Sequence, residues 1–308
     1  MGNRPVNRSR RSAGRGRYSS GRSRSSTLRR RRRNRRLKNV LIGLCCILLV
    51  VLLVFGVGKL EGAVADFDQA LEKAGNKSNK ASAFNADVLW YRAEAEMFLA
   101  DYEAASHTYD LVAEQGGDKI SSLYMKAVCA GKLEDKDQAV SYYREALGME
   151  KEGVRSPGYE EALIAAGSAC VKAQDSETAK SLYEEALNSG KTGEKLESRI
   201  YNQLGLCQMA EEDYETAADT FDKGYNALIT GYKAGTGAEL DQAAAAIPKE
   251  DTQGLTLLKE LAYNKAVCLE YRQQYRQAQA EFETYIKVFG DDEDARHEID
   301  FLKTRQEE

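Results

Sequence analysis

An all-α solenoid of stacked helix pairs is the fold this sequence predicts, and three observations carry the expectation. Beyond residue 38 the chain is rich in Ala, Glu, Leu, Lys and Tyr, and only Pro5, Pro157 and Pro248 interrupt its 308 residues. That composition favours helix over sheet. Second, one string recurs six times: Ala, three residues, an aromatic, two residues, then usually a small residue. It stands at Ala63/Phe67/Ala70, Ala105/Tyr109/Val112, Ala139/Tyr143/Ala146, Ala179/Tyr183/Ala186, Ala217/Phe221/Gly224 and, more loosely, Ala278/Phe282/Tyr285. Spacings of 4 and 3 put these residues on one helical face. Aromatics are 8% of the chain, so six aligned copies are not casual. Third, small residues stand twelve positions before five of the leading alanines, at Ala93, Ala127, Gly167, Gly205 and Ala266. A preceding helix with a small residue at its middle can approach its partner closely.

The elements follow in order from the N-terminus. Residues 1–38 hold 15 Arg and one Lys and no acid. That leaves 28 basic residues against 48 acids, a charge of −20, for residues 39–308. The Arg/Ser/Gly-rich segment has almost nothing apolar to bury and reads as a disordered tail. Val40–Gly58 carries no charge, and at about 1.5 Å per residue it spans about 28 Å, the thickness of a bilayer core. Residues 39–58 are therefore expected to form a transmembrane helix. Arg29, Arg30, Arg31, Arg32, Arg33, Arg35, Arg36 and Lys38 abut it, so the tail is placed in the cytoplasm and residues 59–308 outside it, at a plasma membrane. Ala63-Val64-Ala65 resembles a signal-peptidase site. An uncleaved anchor is preferred, because the apolar run exceeds the roughly 7–15 residues of a signal core.

The repeats occupy residues 59–308. Twelve positions before Ala63 lies Val51, inside the apolar run, so the solenoid is expected to open with a half-repeat over 59–75. Asn76–Asn85 would then be a flexible joint. Repeats are expected at about 86–117, 120–153, 157–190, 197–230 and 255–290. Gly75, Gly116, Gly153, Gly190, Gly231 and Gly290 mark the unit ends, where a left-handed residue stops a helix. Ser156-Pro157 has the composition of an N-cap and first helical residue. Residues 231–254 read as a loop holding one short helix near Glu239–Ile247, or as an insertion that touches a partner. Asp291–Gln306 is expected to be a capping helix, with acids at its N-terminus and Ala295, Ile299 and Leu302 on one stripe.

The series resembles the tetratricopeptide repeat, a helix–turn–helix of about 34 residues. The fit is best in Tyr201-Asn202-Gln203-Leu204-Gly205, Asp213-Tyr214 and Ala217-Ala218-Asp219-Thr220-Phe221. It covers about residues 60–290. The leading alanines are spaced by 42, 34, 40, 38 and 61, so one interval has the family period, and the family's closing Pro is missing. The resemblance implies a concave groove, lined by the first helices, that holds a peptide or partner helix. Carried over by register, the groove residues are Trp90, Glu94, Tyr124, Ile164, Asn202 and Tyr263. The acidic repeats imply a basic partner.

Enzymatic chemistry has little to work with. His107 and His297 are isolated, which leaves Ser-His-Asp and Cys-His catalysis without support, and no Cys-x-x-Cys or His-x-x-x-His suggests a metal. Gly190-Lys191-Thr192 ends like a phosphate loop, but Glu185 replaces its first Gly. Neither a cofactor nor an enzymatic activity is expected. Cys129, Cys207 and Cys268 share one register position, ten before their leading Ala, and Cys170 lies one residue off it. They read as small core residues rather than as two disulfides. The Arg tail reads as a lipid anchor for anionic headgroups, with nucleic acid as the other polyanion it could bind. The function expected is a membrane-tethered scaffold for protein–protein interactions, in envelope assembly or translocation. The alternative is a tether in which the tail does the binding.

Overall fold

The computed structural model describes residues 58–73, 79–151, 154–235 and 237–305. Every regular element among them is helical. Helix α1 covers residues 58–73. It is followed by α2 (Asn79–Phe98), α3 (Tyr102–Glu114), α4 (Lys119–Lys132), α5 (Lys136–Met149), α6 (Tyr159–Lys172) and α7 (Ser176–Asn188). Then come α8 (Glu194–Ala210), α9 (Tyr214–Gly231), α10 (Leu240–Ala246), α11 (Thr252–Tyr271), α12 (Tyr275–Phe289) and α13 (Glu293–Arg305). Five hairpins result: α2/α3, α4/α5, α6/α7, α8/α9 and α11/α12. Leu60–Glu308 form one compact unit. The expected membrane segment, residues 39–58, lies outside the described residues except for Gly58, which opens α1, and so do the arginines from Arg29 to Arg36. No described helix is long and apolar enough to cross a membrane.

Every hairpin closes through the same turn. Ala100, Glu134, Gln174, Glu212 and Gln273 take left-handed φ values of 59°, 61°, 60°, 63° and 60°. The next residue is Asp101, Asp135, Asp175, Asp213 or Gln274. Its amide reaches back five residues, as in Asp101 N–H to Glu96 C=O at 3.0 Å and Asp175 N–H to Cys170 C=O at 2.8 Å. This is the closure that satisfies a helix's last carbonyls. Each Asp then caps the second helix, its carboxylate accepting the amide three residues on at 3.0–3.2 Å. Gln274 makes no such bond. A two-residue string therefore ends one helix and starts the next, and fixes the hairpin angle.

Packing follows the recurring string. Ala105, Ala139, Ala179, Ala217 and Ala278 are fully buried, and Tyr109, Tyr143, Tyr183, Phe221 and Phe282 nearly or fully so. The first copy, Ala63 and Phe67 on α1, is only half-buried. The core is a chain of clusters rather than one mass. Met97 packs on both the α2/α3 cluster and its neighbour, and Phe289 joins the last two clusters. That is the expected consequence of hairpins too thin to bury a face alone. Ion pairs tie successive units, including Lys136–Asp175 at 2.7 Å and Lys126–Asp110 at 2.6 Å. Arg92 joins α1 to α2 through Asp68 at 3.0 Å.

Several boundaries differ from the sequence reading. Helix α2 starts at Asn79, so most of the expected joint, Asn76–Asn85, is helical and Asn85 is buried. Ser156 and Pro157 do not open α6. Tyr159 N–H bonds Ser156 C=O at 3.3 Å across Pro157 and Gly158, and Gly158 has φ 91° and ψ −9°. That is a type II turn, with Pro second and a left-handed Gly third, and the helix begins after it. Gly231 ends α9 as a helical residue, and Lys233 takes the left-handed position instead, at φ 57°. The insertion does hold one short helix, α10, and it is not a loose loop. Ala238, Leu240, Ala243 and Ile247 are buried, and the Tyr225 hydroxyl donates to the Ala238 carbonyl at 2.7 Å. Capping helix α13 buries Ala295, Ile299 and Leu302.

Candidate partner-binding cleft

Three first helices, α6, α8 and α11, line a cleft of about 510 Å³. Helical spacing places its side chains. Glu161 and Ile164 face it from α6, Lys195, Arg199 and Asn202 from α8, and Thr256, Leu257 and Glu260 from α11. Steps of three and four residues keep each set on one face. Leu228 and Leu257 are almost fully buried and, with Ile164, supply an apolar floor.

Polar contacts set the shape of the cleft. At one end Tyr232, the residue after α9, donates its hydroxyl to Asp251, the N-cap of α11. Lys195 lies 3.4 Å from the same carboxylate and 4.0 Å above the Tyr232 ring. The Tyr232 hydroxyl, the Gly254 amide and the Lys195 ammonium together hold the Asp251 carboxyl below its ordinary range. The hydroxyl of Tyr232 and the carboxylate of Asp251 raise the Lys195 ammonium above its own range. A Cβ at 254 would stand 2.2 Å from the Tyr232 oxygen, so any larger residue there must displace the tyrosine from Asp251. On the α6 side Arg199 pairs with Glu160 at 3.6 Å. At the centre Asn202, 1% exposed, donates to Glu260 Oε2 at 2.9 Å and accepts from Asn264 at 3.3 Å.

The six residues carried over by register divide among different places. Ile164 and Asn202 meet in this cleft. Trp90 lines a smaller hollow of about 250 Å³ with Asp87, Asp118 and Ser121. Its indole N–H donates to Glu94 at 2.8 Å and its ring meets Tyr109 edge-on at 5.2 Å. Tyr263 turns toward the cap, against Phe282 and Tyr285 at 5.3 and 5.8 Å. Tyr124 is a correction: it is fully buried between Tyr143 and Tyr159 and offers no groove surface. The turn before α6 brings Tyr159 against it, and an apolar niche outcompetes exposure. Burial, then the nearby Glu150 carboxylate, pushes its phenol well above the ordinary range.

Sequence reasoning missed Glu161, Arg199 and Glu260. Each lies three residues before a register residue, at Ile164, Asn202 and Tyr263, so extending the groove one helical turn would have found them. Tyr232 and Asp251 had no such signal, because they lie within the insertion.

The four described cysteines, Cys129, Cys170, Cys207 and Cys268, are buried and unbridged. Burial pushes their thiols up, to about 12 for Cys129, 11 for Cys207 and 12 for Cys268. Such thiols are poor nucleophiles and ligands. Among the described residues, no group of three or more His, Cys, Asp or Glu could hold a metal ion.

Residues 120–152 match the tetratricopeptide repeat family. They coincide with hairpin α4/α5, and the other hairpins repeat its turn and its buried Ala and aromatic. No curated protein matches the chain significantly. Among solved structures, the chain is similar to BtubC from P. vanneervenii, with a TM-score of 0.54 and 15% identity, covering 74% of this chain and 90% of that one. YrrB, described as a TPR protein with an unusual peptide-binding site, gives a TM-score of 0.43 at 18% identity, over 75% and 96% of the two chains. The TPR2AB domain of yeast Sti1 in complex with pHSP90 gives 0.34 at 18% identity, over 82% and 96%. The fold is thus an all-α solenoid of tetratricopeptide type.

Proposed function

We propose that this chain is a non-enzymatic scaffold whose α6–α8–α11 cleft holds a segment of a partner protein. One observation carries the reading: helices from three successive hairpins converge on a single cleft with an apolar floor and polar, pre-positioned walls. An open trough of that kind suits a chain segment better than a small reactant.

The reading extends to location on the strength of sequence. The apolar run at 39–58 and the arginines before it support a membrane tether with a cytoplasmic N-terminus, on the outer face of a plasma membrane. Arg29–Arg33, Arg35 and Arg36 would then lie against anionic headgroups. The charge of −20 beyond residue 38 favours a basic partner in envelope assembly or translocation.

The test is site-specific photo-crosslinking in intact cells. A photoreactive phenylalanine at Ile164 or Thr256 should capture a discrete protein partner. The same residue at Glu145, on the second helix α5, should not. Equal capture at all three positions, or none at the cleft in a folded protein, would remove the cleft as the binding surface. Protease added outside intact cells should reach the repeats, and their protection would overturn the location.

A further inference from the structure

We infer that the cleft reads a basic side chain with an apolar one two residues away, and that Glu260 is the group that takes the cation. This deepens the partner reading above and rests on it.

Charge pairing inside the cleft points to a cation. Its charged lining consists of Glu160, Glu161, Lys195, Arg199, Asp251 and Glu260. Both cations are already committed, Lys195 to Asp251 and Arg199 to Glu160. Among the described residues, no ion pair reaches Glu161 or Glu260. Two negative charges are therefore left facing the cleft. A segment with a carboxylate would meet them with no cation free to answer, which is a built-in rejection.

Geometry selects Glu260 over Glu161. Asn202 holds Glu260 Oε2, and Asn264 holds Asn202 in turn. Asn202 is almost fully buried, so it cannot swing away. The carboxylate is thus pre-oriented on one oxygen while Oε1 is left for a ligand. A guanidinium or ammonium can donate to it in a charge-assisted bond. The second requirement comes from the floor. In an extended chain residues i and i+2 point the same way, about 6.6–6.8 Å apart. With a cation at Glu260, a side chain two positions away is within reach of Leu257, which lies three residues from Glu260 on the same face of α11, about 5–6 Å away between Cβ atoms.

The test uses the full chain in lipid nanodiscs and fluorescence anisotropy. Three fluorescein-labelled heptapeptides share the frame Gly-Ser-X-Ala-Leu-Ser-Gly, with X as Lys, Ala or Glu. The Lys peptide should bind about tenfold tighter than the Ala peptide, the Glu peptide weakest, and the gap should narrow as salt rises. Glu260→Gln should bring the Lys peptide to the level of the Ala peptide and leave the Ala peptide unchanged. Glu161→Gln should cost less. Asn202→Ala, a positioning change, should shrink the Lys-to-Ala ratio without erasing it. Glu260 is exposed, so a thermal melt should confirm that its variant folds. Equal binding of the Lys and Ala peptides, or a Lys preference untouched by Glu260→Gln, overturns the inference but leaves the cleft as a binding surface. Failure of all three peptides to bind folded protein overturns both.

Discussion

Gly205→Ala should destabilise the chain, even though alanine is the better helix former. Gly205 sits inside α8, and a Cβ there would lie 2.5, 2.6 and 2.8 Å from Phe221 Cε1, Cζ and Cδ1. Ordinary contact needs about 3.5 Å, so α8 and α9 must part by roughly 1 Å. The ring cannot retreat, because Phe221 is 1% exposed and packed in the cluster of Leu228, Leu258 and Leu261. Such overpacking costs about 1–3 kcal/mol, while the exchange of Gly for Ala in a helix contributes about 1 kcal/mol the other way. The net expectation is a loss of up to about 2 kcal/mol. Gly148→Ala is the matched control, since no atom lies within 4 Å of the Cβ it would gain. There only propensity acts, and stability should rise by about 0.5–1 kcal/mol. Urea melts followed by circular dichroism measure both. Hydrogen exchange at α8 and α9 localises the loss, because a repeat array need not unfold in one step. Adding Phe221→Ala should abolish the penalty of Gly205→Ala, a coupling a double-mutant cycle reads directly. If Gly205→Ala gains as much stability as Gly148→Ala, the close approach of α8 and α9 is wrong.

Two further outcomes follow from the turn and from the cap. Gln174→Gly should raise stability by about 0.5 kcal/mol, since a side chain at left-handed φ costs about 1–2 kcal/mol and the added freedom of Gly in the unfolded chain takes back part; a lower melting temperature would contradict the turn geometry. Burial, and then the Glu298 carboxylate of α13 beside it, raises the Glu270 carboxyl of α11 to about 7. A raised acid holds its proton in the folded chain after the unfolded chain has lost it. The native state therefore binds more protons from about pH 4.5 to 7, and this contribution to stability falls as pH rises through that window. Glu270→Gln should flatten the fall, slowing exchange of α13 amides at pH 8 and changing little at pH 5. A pH response identical to that of the parent would show that the Glu270 carboxyl is not raised in the folded chain.

The solenoid was legible because its signal is local and repeated. Ala105, Tyr109 and their counterparts lie three or four residues apart, and a helix turns such spacing into one buried face wherever the chain goes. Asp101, Asp135, Asp175 and Asp213 likewise act within one turn, each on the amide three residues on. The register of Cys129, Cys207 and Cys268 also foretold their burial. The cleft was not legible. Glu161, Asn202 and Glu260 are separated by about forty and sixty residues, and their meeting depends on how far α6, α8 and α11 splay. That splay is set by side-chain volume between hairpins and by a folded insertion, neither of which has a periodic signature. Tyr124 shows the same limit from the other side. Its register position placed it on the groove, but the rings of Tyr143 and Tyr159 pack over it and put it in the core. Spacing along one helix determines which residues share a face. Only the packing of neighbouring helices decides whether that face meets protein or solvent, because burial is a property of what lies opposite.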